Sequence, residues 1–305
     1  MKKPASHLLI DSDSHISTTH ETWSRHLGPE LMAHPEAPRY WEENGMTYRS
    51  IGRVTVPPRW PATVAPKPRT YQTPGPKGRP GATDPNYRVK DFLDVEGFDR
   101  SLLMPEAGWW PAGIVDVALG NAMSEAYNDY LHDFARQQPT RLFGIGILNA
   151  ADPQHAVKEM RRCVKQLGFP AVYLNNEVYG ARDDDYVIPA QEHYYPIYEE
   201  AGRLGVPIIL HAWIKFPIPG FQFNRKSPTP VTDIFGMVYA GMELLDNLIT
   251  GGICETFPKT KFGIFECGVG WVPTIVDRYH ERMEKFGEMM RTHAPKMKLH
   301  AEEYI

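Results

Sequence analysis

Four side chains of this sequence have the type and spacing to do chemistry. Asp13 and His15, in the run Asp11-Ser12-Asp13-Ser14-His15, stand two apart at the end of an apolar stretch. Alternate residues of a strand point to one side, so a carboxylate and an imidazole can converge there. Such a pair suits a borderline divalent metal ion; the plainer alternative is a strand-end turn rich in polar residues. His211 closes the apolar run Val206-Pro207-Ile208-Ile209-Leu210, where a histidine serves either as a ligand or as a satisfied core or rim residue. Glu266 also ends an apolar run. Beside a cation it is an acid or base candidate; otherwise it is a rim ion pair. Trp109, Trp110, Trp213 and Trp271 all follow such runs and could stack on a flat substrate or pack the rim.

The elements that must position these residues are legible as alternating short apolar runs and helical patterns. HLLID (His7 to Asp11), SLLMPE (Ser101 to Glu106), LFGIGIL (Leu142 to Leu148), AVYLN (Ala171 to Asn175), VPIILHA (Val206 to Ala212) and KFGIFEC (Lys261 to Cys267) read as strands covered on both faces. Asp152-Pro153 is an N-cap and first-turn proline. It opens a helix with a stripe of Val157, Met160, Val164 and Leu167 that Gly168 ends. Pro196 opens a helix carrying Ile197, Ala201 and Leu204 and closed by Gly205. Pro273 opens another with Ile275, Val276, Tyr279, Met283 and Phe286. Strand–helix repetition predicts a parallel sheet or barrel. Two stretches interrupt it: a Pro-rich insertion at about 35–87, and the loop Phe216 to Pro230 after the fifth run. Both are expected over the mouth where loops follow strands.

Bulk properties narrow the function classes. The 305 residues include 42% hydrophobic and 23% charged, enough for one large barrel domain over 1–305 and too ordinary for disorder. A net charge of -4, without basic clusters, gives no reason for a nucleic-acid partner. The three cysteines, Cys163, Cys254 and Cys267, are scattered, which argues against a disulfide framework or thiolate zinc site. The N-terminus lacks a long apolar run, so neither a signal peptide nor a membrane span is expected, and the reading is cytoplasmic. Gly144-Ile145-Gly146 resembles the start of a nucleotide loop, but Asn149 stands where the third glycine belongs. No Gly-x-Ser-x-Gly elbow supports a serine hydrolase.

Taken together the motifs resemble the amidohydrolase-related family that includes aminocarboxymuconate semialdehyde, γ-resorcylate and 5-carboxyvanillate decarboxylases. IDSDSH is similar to the family's first-strand motif. PTRLFGIGILNAADPQHAVKEMRRCVKQLGFPAVYLN resembles its third strand, helix and fourth strand, and YYPIYEEAGRLGVPIILHA its helix and metal-binding histidine. FPKTKFGIFECGVGWVPTIVDRY resembles its sixth strand and Trp-x-Pro helix start. The resemblance implies a (β/α)8 TIM barrel of the metal-dependent hydrolase type holding one divalent ion, Zn or Mn. Asp13 and His15 would be the first-strand ligands and His211 the fifth. The absence of a lysine in AVYLN favours a single metal. The resemblance implies a small-molecule substrate and a homodimer, and the lack of a long apolar run gives no reason for a membrane partner.

Two departures stand out. Nothing matches the family's last ligand, an aspartate at the eighth strand. Glu266 stands where the family often has a catalytic histidine. Six strands are visible where a closed barrel takes eight, so either the chain lacks its last strands or the sheet closes otherwise. The implied activity is metal-dependent, non-oxidative decarboxylation of a small carboxylated aromatic or dienoic acid. The alternatives are hydrolysis of an amide, ester or lactone bond, and a non-catalytic truncated barrel.

Overall fold

The computed structural model describes residues 7–43, 46–52, 54–56, 80–105, 114–174, 190–212, 229–298 and 300–305. The chain divides into two compact units, 1–186 and 187–305. The first contains β1 (Ile10–Ile16), a small antiparallel sheet of β2 (Arg39–Glu43), β3 (Met46–Ile51) and β4 (Val54–Val56), then β5 (Arg100–Pro105), β6 (Leu142–Leu148) and β7 (Ala171–Leu174). β1, β5, β6 and β7 pair in parallel in that order. The second unit contains β8 (Ile208–His211) and β9 (Phe262–Phe265), also parallel. All six expected apolar runs therefore contribute strands, joined by helices, which is the βα repeat of a (β/α)8 barrel in six of its eight strands.

Caps and glycines account for the helix bounds. Asp152 accepts from the His155 N–H at 3.0 Å and opens the helix Pro153–Lys165; Gly168 follows it at φ 71°. The helix Tyr195–Leu204 ends at Gly205, φ 67°. The helix Val272–His293 is kinked at Phe286.

One expected face shifts. The Pro153–Lys165 helix buries Ala156, Glu159, Met160 and Cys163, while Val157 and Val164 are only half-buried. The buried Glu159 is stabilised in place by partners. It accepts from Asn128 at 2.7 Å and from Arg162 at 2.8 Å, and Asn128 also donates to the Ile147 carbonyl and accepts from its N–H. A buried carboxylate so paired escapes most of its desolvation penalty.

The glycines of LFGIGIL have a packing role. A Cβ on Gly144 would come within 2.6 Å of Phe169, and one on Gly146 within 2.6 Å of the Cys163 sulfur. Their absence of side chain lets the flanking helices lie close on β6.

The first strand also differs from expectation. The strand begins at Ile10 rather than His7 and runs through the polar motif to Ile16. Pairing with β5 out to Ile16↔Pro105 satisfies the backbone there, so polar side chains do not end the strand. Leu8 and Leu9 lie outside it and are exposed. Most of the Pro-rich insertion, and most of the loop from Phe216 to Pro230, lie outside the described residues. The described parts of the insertion meet the end of β1: the Tyr40 hydroxyl is 3.0 Å from the Thr18 hydroxyl, and the Ser17 N–H donates to the Ala82 carbonyl at 2.9 Å.

Candidate functional site

In the first unit the site residues are carried by one strand. The β1–β5 register shifts between Asp11 and Ser14, a local irregularity immediately beside Asp13. The His15 Nδ1 lies 2.6 Å from the Pro105 carbonyl oxygen. A carbonyl can only accept, so Nδ1 carries the ring proton, and Nε2 of the neutral ring presents its lone pair. That Nε2 is 3.5 Å from Asp13 Oδ1, and both side chains are about 30% exposed.

The backbone of this motif is gripped from behind. Arg88, buried, donates through Nη1 to the Ser14 hydroxyl at 2.9 Å and through Nη2 to the His15 carbonyl. It ends the short helix Pro85–Arg88, whose N-cap Asp84 accepts from Asn86 and Tyr87, and its guanidinium lies 5.4 Å from the centre of the Phe92 ring. Sequence reasoning missed Arg88. The residue is 73 positions from His15, and no local pattern marks it.

In the second unit two strands share the work. His211, the last residue of β8, is 7% exposed. Its Nδ1 donates to the Ala212 carbonyl at 2.8 Å, so in the neutral ring its Nε2 again presents the lone pair. Nε2 lies 3.0 Å from Oε2 of Glu266, which is 42% exposed. Glu266 leaves β9 at φ 59°, and among the described residues it alone, apart from glycines, has positive φ. A non-glycine residue there costs about 1–2 kcal/mol, and such strain persists where the surroundings enforce it.

The surroundings do enforce it. The Ala212 N–H donates to the Phe265 carbonyl at 2.9 Å, and Cys267 is buried against Ala212 and Ala240. The Trp271 indole N–H donates to the carbonyls of Cys267 and Gly268, at 2.8 and 3.0 Å. Gly241 allows the helix Thr229–Ile249 to approach this turn: a Cβ there would meet Cys267 at 2.6 Å.

Both units therefore use one donor plan. A histidine spends its Nδ1–H on a backbone carbonyl and turns Nε2 toward a carboxylate oxygen. A lone pair and a carboxylate that close repel each other unless a cation, either a proton or a metal ion, sits with them. Imidazole nitrogen with carboxylate oxygen is a fitting donor set for zinc or manganese, and a carbonyl-bonded Nδ1 is how metal-binding histidines are commonly oriented.

The structure thus brings Asp13 to His15, and Glu266 to His211. It places Trp271 on the second unit's core with its indole N–H tied to backbone. Trp109 and Trp213 lie outside the described residues.

Comparison with known proteins places the chain in a family. A profile described as Amidohydrolase matches residues 77–299. The chain is similar to a 2-amino-3-carboxymuconate-6-semialdehyde decarboxylase of Dictyostelium discoideum, 25% identical over 64% of this chain and 50% of that protein. It is also similar to a gamma-resorcylate decarboxylase of Polaromonas sp. strain JS666, 31% identical over 61% of this chain and 56% of that protein. The chain thus spans about half the length of these curated relatives.

Among solved structures, an amidohydrolase of Mycobacterium avium subsp. paratuberculosis K-10 superposes over 99% of this chain and 81% of its own, with TM-score 0.68 and 17% identity. A dihydroxybenzoic acid decarboxylase of Polaromonas sp. JS666, solved with bound manganese and the inhibitor 2-nitroresorcinol, matches 97% of this chain and 75% of its own, with TM-score 0.60 and 19% identity. At those identities the likeness is one of fold, and the fold is the amidohydrolase barrel.

Proposed function

The chain belongs to the amidohydrolase family, and on that premise we propose that it is a metal-dependent, non-oxidative decarboxylase of a small carboxylated aromatic or dienoic acid. Asp13, His15 and His211 would hold one divalent ion, Zn or Mn, and Glu266 would be the catalytic proton-transfer group. The observation that carries this reading is the repeated donor plan: His15 and His211 each commit Nδ1–H to a backbone carbonyl and turn Nε2 toward a carboxylate. Curated relatives named as decarboxylases, and a structural neighbour solved with manganese, support it.

The ion, when bound, would polarise a carboxylate or phenolate of the substrate. The residues of the chain do the rest. In decarboxylation the ring carbon, or a vinylogous carbon of a dienoic acid, must first accept a proton. The bond to the carboxylate then breaks, its electron pair returns to the conjugated system, and carbon dioxide leaves. Glu266 in its acid form delivers that proton and is recharged from solvent, to which it is partly exposed. Its fixed turn supplies the positioning that proton transfer needs. Trp109, Trp213 and Trp271 are proposed as the flat walls on which a planar acid stacks.

Glu266 also favours a second reading. A carboxylate beside a ligand histidine could instead take a proton from water during hydrolysis of an amide, ester or lactone. The test is carbon dioxide release by the manganese- or zinc-loaded chain from a panel of dihydroxybenzoates and carboxylated dienoic acids. Release that a chelator abolishes is expected; cleavage of amide, ester or lactone substrates without any carbon dioxide would establish the hydrolase instead.

The proposed partner is the small acid alone, with a homodimer as the assembly, to be checked by light scattering, and a cytoplasmic location. Among the described residues no helix is long and apolar enough to cross a membrane.

A further inference from the structure

A second cluster of ligand-type side chains lies wholly within the second unit. His280 is on the helix Val272–His293, His300 is the N-cap of the short 3-10 turn Ala301–Glu303, and Glu302 is inside that turn. One ligand atom from each lies within 4.8 Å of the others. His280 Nε2 is 2.5 Å from Glu302 Oε2, and the two imidazole rings stand edge to face with centres 5.7 Å apart. We infer that His280, His300 and Glu302 form a second divalent-metal site that clips the segment 294–305 onto the helix Val272–His293.

The backbone beneath these side chains is already held by packing and hydrogen bonds, so binding costs little ordering and acts by making the opening of this segment rarer. Ala301, between His300 and Glu302, is 1% exposed and is buried with Ile249, Tyr279, Ala294 and Met297. Tyr279, next to His280, donates to Asp246 at 2.7 Å. The Tyr304 hydroxyl donates to Glu255 at 2.9 Å and accepts from the Lys298 N–H at 3.0 Å. A preorganised set of this kind loses less conformational entropy on binding than three free surface side chains would.

The side chains of His280 and Glu302 are 41% and 46% exposed, which leaves an ion open to water on one side. Zinc–ligand bonds of about 2.0–2.2 Å put neighbouring ligand atoms roughly 3.3 Å apart, so the Nε2–Oε2 contact must open slightly and the third atom must close. Rotamer changes of exposed side chains accomplish both. Two imidazoles with one carboxylate select zinc, nickel or copper over magnesium or calcium, which prefer oxygen.

The turn is held by backbone groups. The His300 N–H donates to the Glu303 carboxylate at 2.7 Å, and the Glu303 N–H donates to the His300 carbonyl at 3.0 Å, so coordination through the ring leaves both bonds in place.

The test is zinc binding by the full chain after chelator treatment, with metal per chain counted after equilibrium dialysis against zinc chloride. His300→Asn retains an N-cap but lacks the imidazole. It should bind one zinc fewer than the unaltered protein, and Glu302→Gln should weaken that site at least about tenfold. His211→Ala must leave this zinc in place, which separates it from the site proposed around Asp13, His15 and His211. Were that other site empty, the counts would be one for the unaltered chain and none for His300→Asn. Zinc should also slow amide exchange over 294–305 in the unaltered chain and in His211→Ala, but not in His300→Asn. Equal zinc counts in the unaltered chain and His300→Asn, or exchange over 294–305 that zinc does not change, would overturn the inference.

Discussion

The Asp13–His15 pair of the first unit and the His211–Glu266 pair of the second reach the same donor plan by different routes. The first pair is local: two residues of one strand, spaced so that the pleat aligns them, each about 30% exposed. Its precision comes from behind, through Arg88 and the Pro105 carbonyl. The second pair is non-local. It needs β8 and β9 in register, His211↔Phe265, so that the residue after Phe265 can turn back toward the histidine. Here the histidine is buried and the carboxylate takes a left-handed backbone conformation. A pair made by strand periodicity stores no such strain, whereas a pair made by a turn out of the sheet holds it where proton transfer would need a rigid carboxylate.

The largest effects should come from removing either histidine. His15→Ala and His211→Ala are each expected to reduce bound zinc or manganese at the proposed site to background and to abolish turnover, read by metal analysis and carbon dioxide release. Retained metal in one variant alone would make the pairs unequal, with a single unit carrying the ion.

Next is Glu266→Gln, which keeps shape and most hydrogen bonding but cannot titrate. Turnover should fall about a hundredfold or more while metal content holds. Unchanged turnover would reduce Glu266 to a structural part; lost metal would make it a ligand.

Arg88→Lys probes the first pair's support. Lysine cannot bridge the Ser14 hydroxyl and His15 carbonyl with a planar fork. Metal affinity should drop about 10–100-fold, the usual loss when a group holding a ligand is removed, while KM for the acid changes little. No change in affinity would mean that the β1–β5 ladder alone fixes His15.

On the second unit, Gly241→Ala forces a methyl against Cys267, and a loss of roughly 1–3 kcal/mol in denaturant unfolding is expected. The smallest effect is the reverse in sign. Glu266→Gly should stabilise the chain by about 1 kcal/mol through relief of the left-handed conformation, while turnover is lost. Destabilisation by this substitution would show that the contact with His211 outweighs the strain.

Much of this was legible beforehand because its causes are local. The apolar runs from Ser101 onward contribute strands as their residue types suggest, and Asp152-Pro153, Gly168 and Gly205 punctuate helices by backbone preference alone. The Asp13-x-His15 spacing was readable for the same reason: strand geometry has a period of two. The motifs also pointed to the amidohydrolase family, which the profile match bears out.

Other features belong to the tertiary structure because they join distant stretches. Polar residues within IDSDSHI would suggest an earlier strand end, yet pairing with β5 carries β1 to Ile16. The glycines in LFGIGIL look like the start of a phosphate loop until Phe169 and Cys163 are found packed where their side chains would stand. No pattern around Arg88 points to Ser14 and His15, and none around Glu266 announces a positive φ, because each is imposed by groups that only folding brings near. Sequence by itself determined which residues carry donor atoms and which runs contribute strands, since those follow from side-chain chemistry and backbone periodicity. Only the tertiary structure decided which ring nitrogen faces a carboxylate, because that depends on where a neighbouring backbone carbonyl, at Pro105 or Ala212, accepts the other nitrogen's proton.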